Sequence, residues 1–458
     1  MPHPGPRLRH AVIVTLTAGS LVLAGCGSAG TDVGSGDGAT SQVAAGGATG
    51  ASEQPSADSN DPTAPSAGSA ESSAGSAESS AGSAKPAASA GGSAAMSGTG
   101  GATEVQIEIT DAGGCAVDPT TVPAGGVTFT IVNVDATAVN EVHLMSGDRI
   151  RGERENLAPG FGATFSATLD GGSYQIYCPG AGTENQPFTV TGQAAETTGD
   201  VAELLLQAAS DYGDYIGVQA GYLVTATDEL DKAVVAGDLA AAQRAYAKAR
   251  PFYERIEPVA ESFGDLDPDI DAREGDVPAA RWKGFHQIEK ALFAEKSVAK
   301  AKPFLADLIA NVGTLKKLTD QLSKDTAAKN GKGYQPDEVA NGAATLLEEV
   351  QTSKITGEEE RYSHVDLLDF ASNVEGSQQA FAALAPALDK IDPVLSKPIS
   401  DRFKTLITLL DGHRDDKALG GYTLYTDLSK GEVKKLSDAL LAVQEPLSQV
   451  SAKVASAG

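Results

Sequence analysis

Residues 205–230 read Leu-Leu-Gln-Ala-Ala-Ser-Asp-Tyr-Gly-Asp-Tyr-Ile-Gly-Val-Gln-Ala-Gly-Tyr-Leu-Val-Thr-Ala-Thr-Asp-Glu-Leu. Positions 205, 209, 212, 216, 219, 223, 226 and 230 are apolar except for Gln219. That 3-4 spacing is the signature of an α-helix with one buried face. The same spacing runs through Val433, Leu436, Leu440, Val443, Leu447, Val450 and Val454, with Pro446 placed to kink the helix. Between these ends the pattern predicts helices near 238–262, 280–296, 300–325, 336–351, 363–389 and 398–413. Eight helices with short connections imply packed antiparallel bundles. The halves 200–325 and 336–455 are similar in length, which suits a duplicated four-helix unit, although no residue-level repeat supports one.

Upstream the period changes to two. Val105, Ile107 and Ile109 alternate with polar partners, as do Val127, Phe129 and Ile131, then Phe165, Ala167 and Leu169, then Tyr174, Ile176 and Cys178, then Phe188 and Val190. Turn signals at Pro119, Pro123 to Gly126, Pro159-Gly160 and Asp170 to Gly172 separate them. This is the rhythm of a small antiparallel β-sandwich over residues 103–192. The predicted architecture is therefore multidomain, a β-sandwich followed by an all-α domain at 199–458. Residues 26–102 are Gly, Ala, Ser and Thr with scattered acids, and Ser69–Gly75 repeats directly at Ser76–Gly82. Nothing there can fill a core, so the segment is expected to be a disordered tether.

The chain of 458 residues carries 35 Lys plus Arg against 61 Asp plus Glu, a formal net charge of -26. Such a chain repels phosphate and shows no basic patch, which excludes nucleic acid as a partner. Residues 101–196 hold no lysine at all. The acidity suits a solvated surface, and equally a protein that handles cations.

At the N-terminus, Arg7 and Arg9 precede an apolar run from Ala11 to Leu23, too short to span a bilayer. It reads as a secretory signal over residues 1–25. The run ends in Leu23-Ala24-Gly25-Cys26, which resembles the lipobox of bacterial lipoproteins. On that reading Cys26 carries a diacylglyceryl group, and the mature chain is extracytoplasmic, lipid-anchored to the outer face of the cell membrane.

Two further cysteines, Cys115 and Cys178, lie in the sandwich. In an oxidising compartment they suit a disulfide. They also suit a metal site, because the alternation of Val139–Met145 puts Glu141, His143 and Met145 on one face. Thiolate, imidazole and thioether favour copper. Spacing leaves both readings open, and the metal set expected here is Cys178, His143 and Glu141, with Cys115 as its fourth member. In the helical part Glu254, Glu257 and Glu261 stand at i, i+3 and i+7, His286 and Glu289 at i and i+3, and Asp366 and Asp369 likewise. Carboxylates facing a His/Glu pair can build an oxygen-rich metal site inside a bundle.

Several motifs carry a resemblance: Tyr253-Glu-Arg-Ile-Glu-Pro258, Phe263-Gly-Asp-Leu-Asp-Pro-Asp-Ile-Asp271, Gly284-Phe-His-Gln-Ile-Glu289 and Ile355-Thr-Gly-Glu-Glu-Glu-Arg-Tyr-Ser-His-Val-Asp366. They are similar to the imelysin family, also called the peptidase M75 domain. Glu153-Arg-Glu-Asn-Leu-Ala-Pro-Gly160 and Tyr177-Cys178 resemble the cupredoxin-like domain that precedes it in bacterial iron-uptake lipoproteins. The resemblance covers about residues 103–430. It implies capture of iron, Fe3+ or Fe2+, in concert with an iron permease (EfeU-type) and a haem peroxidase (EfeB-type). It implies ligands at His286 and Glu289, at Glu254 and Glu257, at Asp271, and at Glu358 and Glu359, with copper or zinc as further candidate metals. Cys178 is followed by neither the histidine nor the methionine of a blue-copper site. The competing reading is a metallopeptidase. Zinc peptidases need a second histidine beside the motif, and Lys290 stands in its place, so the chain is expected not to be an enzyme.

Overall fold

The computed structural model describes residues 102–147, 149–194 and 198–457. The signal segment, Cys26 and all but the last residue of the tether lie outside the described residues. Nine strands occupy the alternating region: β1 (Thr103–Thr110), β2 (Gly114–Asp118), β3 (Thr121–Pro123), β4 (Gly125–Asn133), β5 (Val142–Ser146), β6 (Arg149–Arg154), β7 (Gly162–Leu169), β8 (Gly172–Tyr177) and β9 (Asn185–Thr191). They form two sheets, ordered β2-β1-β4-β7 and β3-β9-β8-β5-β6. Val105, Ile107, Val127, Phe129, Phe165, Ile176 and Phe188 from both sheets share one core. The period of two is thus converted directly into inside and outside. Each such side chain, once fully buried, contributes about 1.5–3 kcal/mol.

The helical part comprises α1 (Asp200–Ala236), α2 (Leu239–Glu254), α3 (Leu266–Asp271), α4 (Phe285–Glu289), α5 (Val298–Ala327), α6 (Pro336–Thr352), α7 (Asp366–Ile391), α8 (Pro393–Asp411), α9 (Lys430–Leu447) and α10 (Val450–Ala457). One hydrophobic core runs through both halves, with α1 packed on α2, α5 and α7, and α7 on α6 and α8. Four expectations need correction. The sandwich expected to be antiparallel is mixed, because β1 runs parallel to β4 and β3 parallel to β9. The helix expected over 238–262 ends at Glu254 and continues as a 3₁₀ segment, Glu257–Phe263. Pro258 has no N–H to donate and disfavours helical backbone at Glu257. The helix expected over 280–296 shrinks to α4 and one π turn, Lys290–Ala294. The kink expected at Pro446 falls just beyond it, as a turn at 448–449 between α9, which runs through Pro446 to Leu447, and α10.

A polar seam joins the two parts. Arg149 and Arg151 both reach Glu338 at the start of α6. Thr168 N donates to Asp337 (3.0 Å), Asn341 to Ser166 O (2.6 Å) and Arg154 to Thr345 (2.6 Å). The α10 backbone lies against β4 so closely that a Cβ on Gly126 would fall 2.4 Å from Ala455 O. Among the described residues no helix is long and apolar enough to cross a membrane.

Candidate metal centre

The break after Glu254 turns the glutamates in two directions. Glu254 and Glu257 point together toward Lys354 and Asn373, whose amide nitrogen lies 2.9 and 2.6 Å from their carboxylates. Glu261, expected on the same face, instead lies beside Arg154 and Glu153, because a 3₁₀ segment does not keep the α-helical stacking of i and i+7. Asp271 closes α3, and His286 follows a tight approach of Gly284 to α3. Gly284 has φ +90°, and a Cβ there would sit 2.2 Å from Ile270 O, so glycine is required for the two segments to meet.

His286 is 2% exposed. Its Nδ1 lies 3.2 Å from Glu289 Oε2, and Glu289 Oε1 accepts from the backbone N–H groups of Tyr362 (2.6 Å) and Ser363 (2.8 Å). Glu289 therefore stands behind the imidazole and fixes its orientation, the arrangement that commonly supports a metal-bound histidine. Among the described residues His286 Nε2 has no hydrogen-bond partner. It faces Glu359 Oε1 at 3.5 Å and Asp271 Oδ1 at 3.6 Å. These three residues are close enough to hold one cation, as are His286, Glu289 and Glu360. In the second set both oxygens of Glu360 are bonded, to Tyr246, Ser363 and Arg250, whereas in the first Arg250 bonds Asp271 but Glu359 Oε1 has no polar contact closer than 3.5 Å among the described residues.

Burial makes this cluster of acids costly unless it is paired. Arg250, 0% exposed, contacts Glu254, Asp271, Glu360 and Asp369. Lys354 contacts Glu254 and Glu257, and Arg273 reaches Glu359 at 3.1 Å. Three cations do not satisfy all of these carboxylates. Burial pushes Asp271 up to about 6 against the pull of Arg250, and pushes Glu257, Glu360 and Asp369 well above the usual range. Burial would also raise Glu254 and Glu359, but Arg250 holds the first below its ordinary value, and Lys354 with His286 hold the second well below. Burial would lower His286, yet its hydrogen bond with Glu289 and the facing carboxylate of Glu359 lift it well above the usual imidazole value. A cation entering at Nε2 must displace that proton.

Asp271, Glu257 and Glu359 face a cavity of ≈ 1140 Å³ between the sandwich and the helices. Glu141, His143, Glu153 and Glu155 line it from the sandwich, and Glu261, Asp267 and Glu349 from the helices. His143 Nε2 is 3.4 Å from both Glu141 and Glu153. The thiolate ligands expected beside it need correction. Cys115 on β2 and Cys178 after β8 form a disulfide that links the two sheets. With both sulfurs bonded to each other, neither Cys115 nor Cys178 offers a thiolate, and of the soft donors only the Met145 thioether remains beside His143.

Of the residues expected in the helical site, His286, Glu254, Glu257, Asp271, Glu289 and Glu359 converge, whereas Glu358 is exposed and stands apart. Sequence reasoning missed Arg250, Lys354 and Glu360, and named Asp369 among the facing carboxylates without making it a ligand. Arg250 had one signal, since Tyr246, Arg250 and Tyr253 share the buried face of α2, which places a charge where the period calls for an apolar residue. Lys354 sits in a short turn with no period to betray it.

Residues 208–450 match the imelysin family, Peptidase_M75. The chain is 37% identical over 354 residues to the "Iron uptake system component EfeO" of Yersinia pestis, covering 76% of this chain and 90% of that protein. It is 36% identical over 353 residues to the protein of the same name from Escherichia coli (strain K12), with the same coverage. An imelysin-like protein from Psychrobacter arcticum 273-4 aligns in structure with a TM-score of 0.37 and 14% identity, over 54% of this chain and 90% of that one.

Proposed function

From the premise that this chain belongs to the imelysin family and is of the EfeO type, we propose that it captures iron at His286, Asp271 and Glu359. Glu254 and Glu257 complete the acidic surround, and Glu289 orients the histidine. A role in iron uptake follows from the family. The relatives are named as iron-uptake components, so the chain is a transport component and not a peptidase. The observation that carries the site is the buried, unpartnered Nε2 of His286 facing two carboxylates at the wall of an acid-lined cavity. Hard oxygen donors suit Fe(III), and one imidazole keeps Fe(II) and Zn(II) as competitors. The sandwich, read as cupredoxin-like, supplies the opposite wall through Glu141, His143 and Glu153. Cys26 anchors the chain outside the membrane through the 26–102 tether, where a permease of EfeU type and a peroxidase of EfeB type are its partners.

Competitive titration of iron against nitrilotriacetate tests the site. Loss of an outer-shell partner typically costs about 10–100-fold in metal affinity, so Asp271→Asn with His286→Ala is expected to cost at least about 100-fold. Glu358→Ala is expected to change nothing. Parent-like affinity in the double variant would place the cargo site elsewhere.

A further inference from the structure

The carboxylates of this site already have an occupant. Lys354 is 4% exposed and sits on the 3₁₀ turn Lys354–Thr356, which leads directly into Gly357-Glu358-Glu359-Glu360. Its ammonium lies 2.6 and 2.8 Å from the two oxygens of Glu257, 3.3 Å from Glu254 and 3.6 Å from Glu359 Oε1. That last oxygen is also 3.5 Å from His286 Nε2 and 3.6 Å from Arg250 Nη2. All three separations are too long for good hydrogen bonds, so Glu359 Oε1 is shared loosely among positive groups and bonded firmly by none.

A multivalent cation held by Glu359, Asp271 and His286 would lie close to the Lys354 ammonium. Two positive charges at such range, out of bulk water, repel strongly. Arg250 cannot yield, because four carboxylates pin it on α2. The lysine can, because its ammonium ends a flexible four-carbon stem. Its backbone is fixed: Tyr425 donates to Ile355 O, and a Cβ on Gly357 would strike the Tyr425 ring at 2.5 Å. Any yielding therefore belongs to the side chain, not to the turn.

We infer that Lys354 is a tethered counter-cation. It is held by Glu257 and Glu254 beside the unloaded ligands, with its ammonium 3.6 Å from Glu359, is displaced when iron enters, and limits affinity so that the cargo can be handed on. The inference rests on the cargo reading proposed above. It treats Lys354 as a positioning residue that competes with the metal rather than binding it.

The full chain carrying Lys354→Met is titrated with Fe(III) and, separately, with Zn(II), each in competition with nitrilotriacetate. Fe(III) affinity is expected to rise at least about tenfold, and Zn(II) affinity by less, because the relieved repulsion scales with the charge of the ion. Lys354→Arg keeps the charge and is expected to bind as the parent does. Should the methionine variant fail to fold, Lys354→Gln removes the charge while keeping a polar side chain. Unchanged or weaker Fe(III) binding in the neutral variant, or an equal gain for both ions, overturns the inference. His286→Ala, measured alongside, separates the two claims. If it binds iron as the parent does, the cargo reading has failed. If it loses iron while the neutral lysine variant gains nothing, only the role of Lys354 has failed.

Discussion

In the sandwich, Cys115 and Cys178 close on each other across the two sheets; in the helical part, Glu254, Glu257, Asp271 and Glu359 stay apart around a gap, held by Arg250 and Lys354. Both sets are ligand-type side chains brought together by tertiary packing. They end differently because two thiols can satisfy each other by forming a bond, whereas crowded carboxylates must either take up protons or be balanced by a cation. Proximity of donors therefore identifies a metal site only where the donors cannot consume one another. The helical carboxylates proposed as the cargo site cannot bond to one another in that way, and the sandwich cysteines do.

The largest effect should come from removing the main balancing cation. Breaking a buried ion pair by deleting one partner costs about 3–5 kcal/mol, and Arg250→Met leaves several carboxylates facing one another. Thermal unfolding of the metal-free chain should show a loss of that order, partly restored by saturating iron. A variant as stable as the parent would mean that the acids do not depend on Arg250. Next in size, Cys115→Ser with Cys178→Ser removes one cross-link, which typically costs about 2–4 kcal/mol. Iron affinity should be unchanged. A fall in iron affinity would show that the sulfurs matter to the cargo after all.

The smallest effect concerns pH. Burial raises Asp271 to about 6, Glu349 to about 7 and Glu261 to about 8, all above the unfolded carboxylate value. The folded state thus binds these protons more tightly than the unfolded state. The resulting stability is fully present below about pH 4 and is lost as pH rises through 6 to 8. The melting temperature of the metal-free chain should fall between pH 5.5 and 8.5. With saturating iron the trend should reverse, since the ion requires deprotonated ligands. The disulfide has no titrating group in that range, so the double serine variant should shift the curve without changing its slope. A metal-free melting curve that rises with pH would contradict the sign of these shifts.

Much of the fold was legible. The alternation at Val105, Ile107 and Ile109, and again at Val127, Phe129 and Ile131, became buried faces, because side-chain period alone decides inside from outside in a strand. The helix from Leu205 to Leu230 was legible for the same reason. The turn of Glu261 away from Glu254 was signalled by Pro258 and read past. The site was legible as residue types, His286 with Glu289 and Glu254 with Glu257, but not as roles.

The sequence by itself determined the alternating strands, the long helices and the donor types the chain carries, because periodicity and side-chain chemistry are local properties. Tertiary structure alone decided that Cys178 meets Cys115, that Glu289 supports His286 from behind, that Glu358 stays in solvent while Glu359 turns inward, and that Arg250 and Lys354 enter the acidic cluster. Each of these depends on which distant segments meet, and on the cost of burying a charge without a partner. A local pattern carries neither.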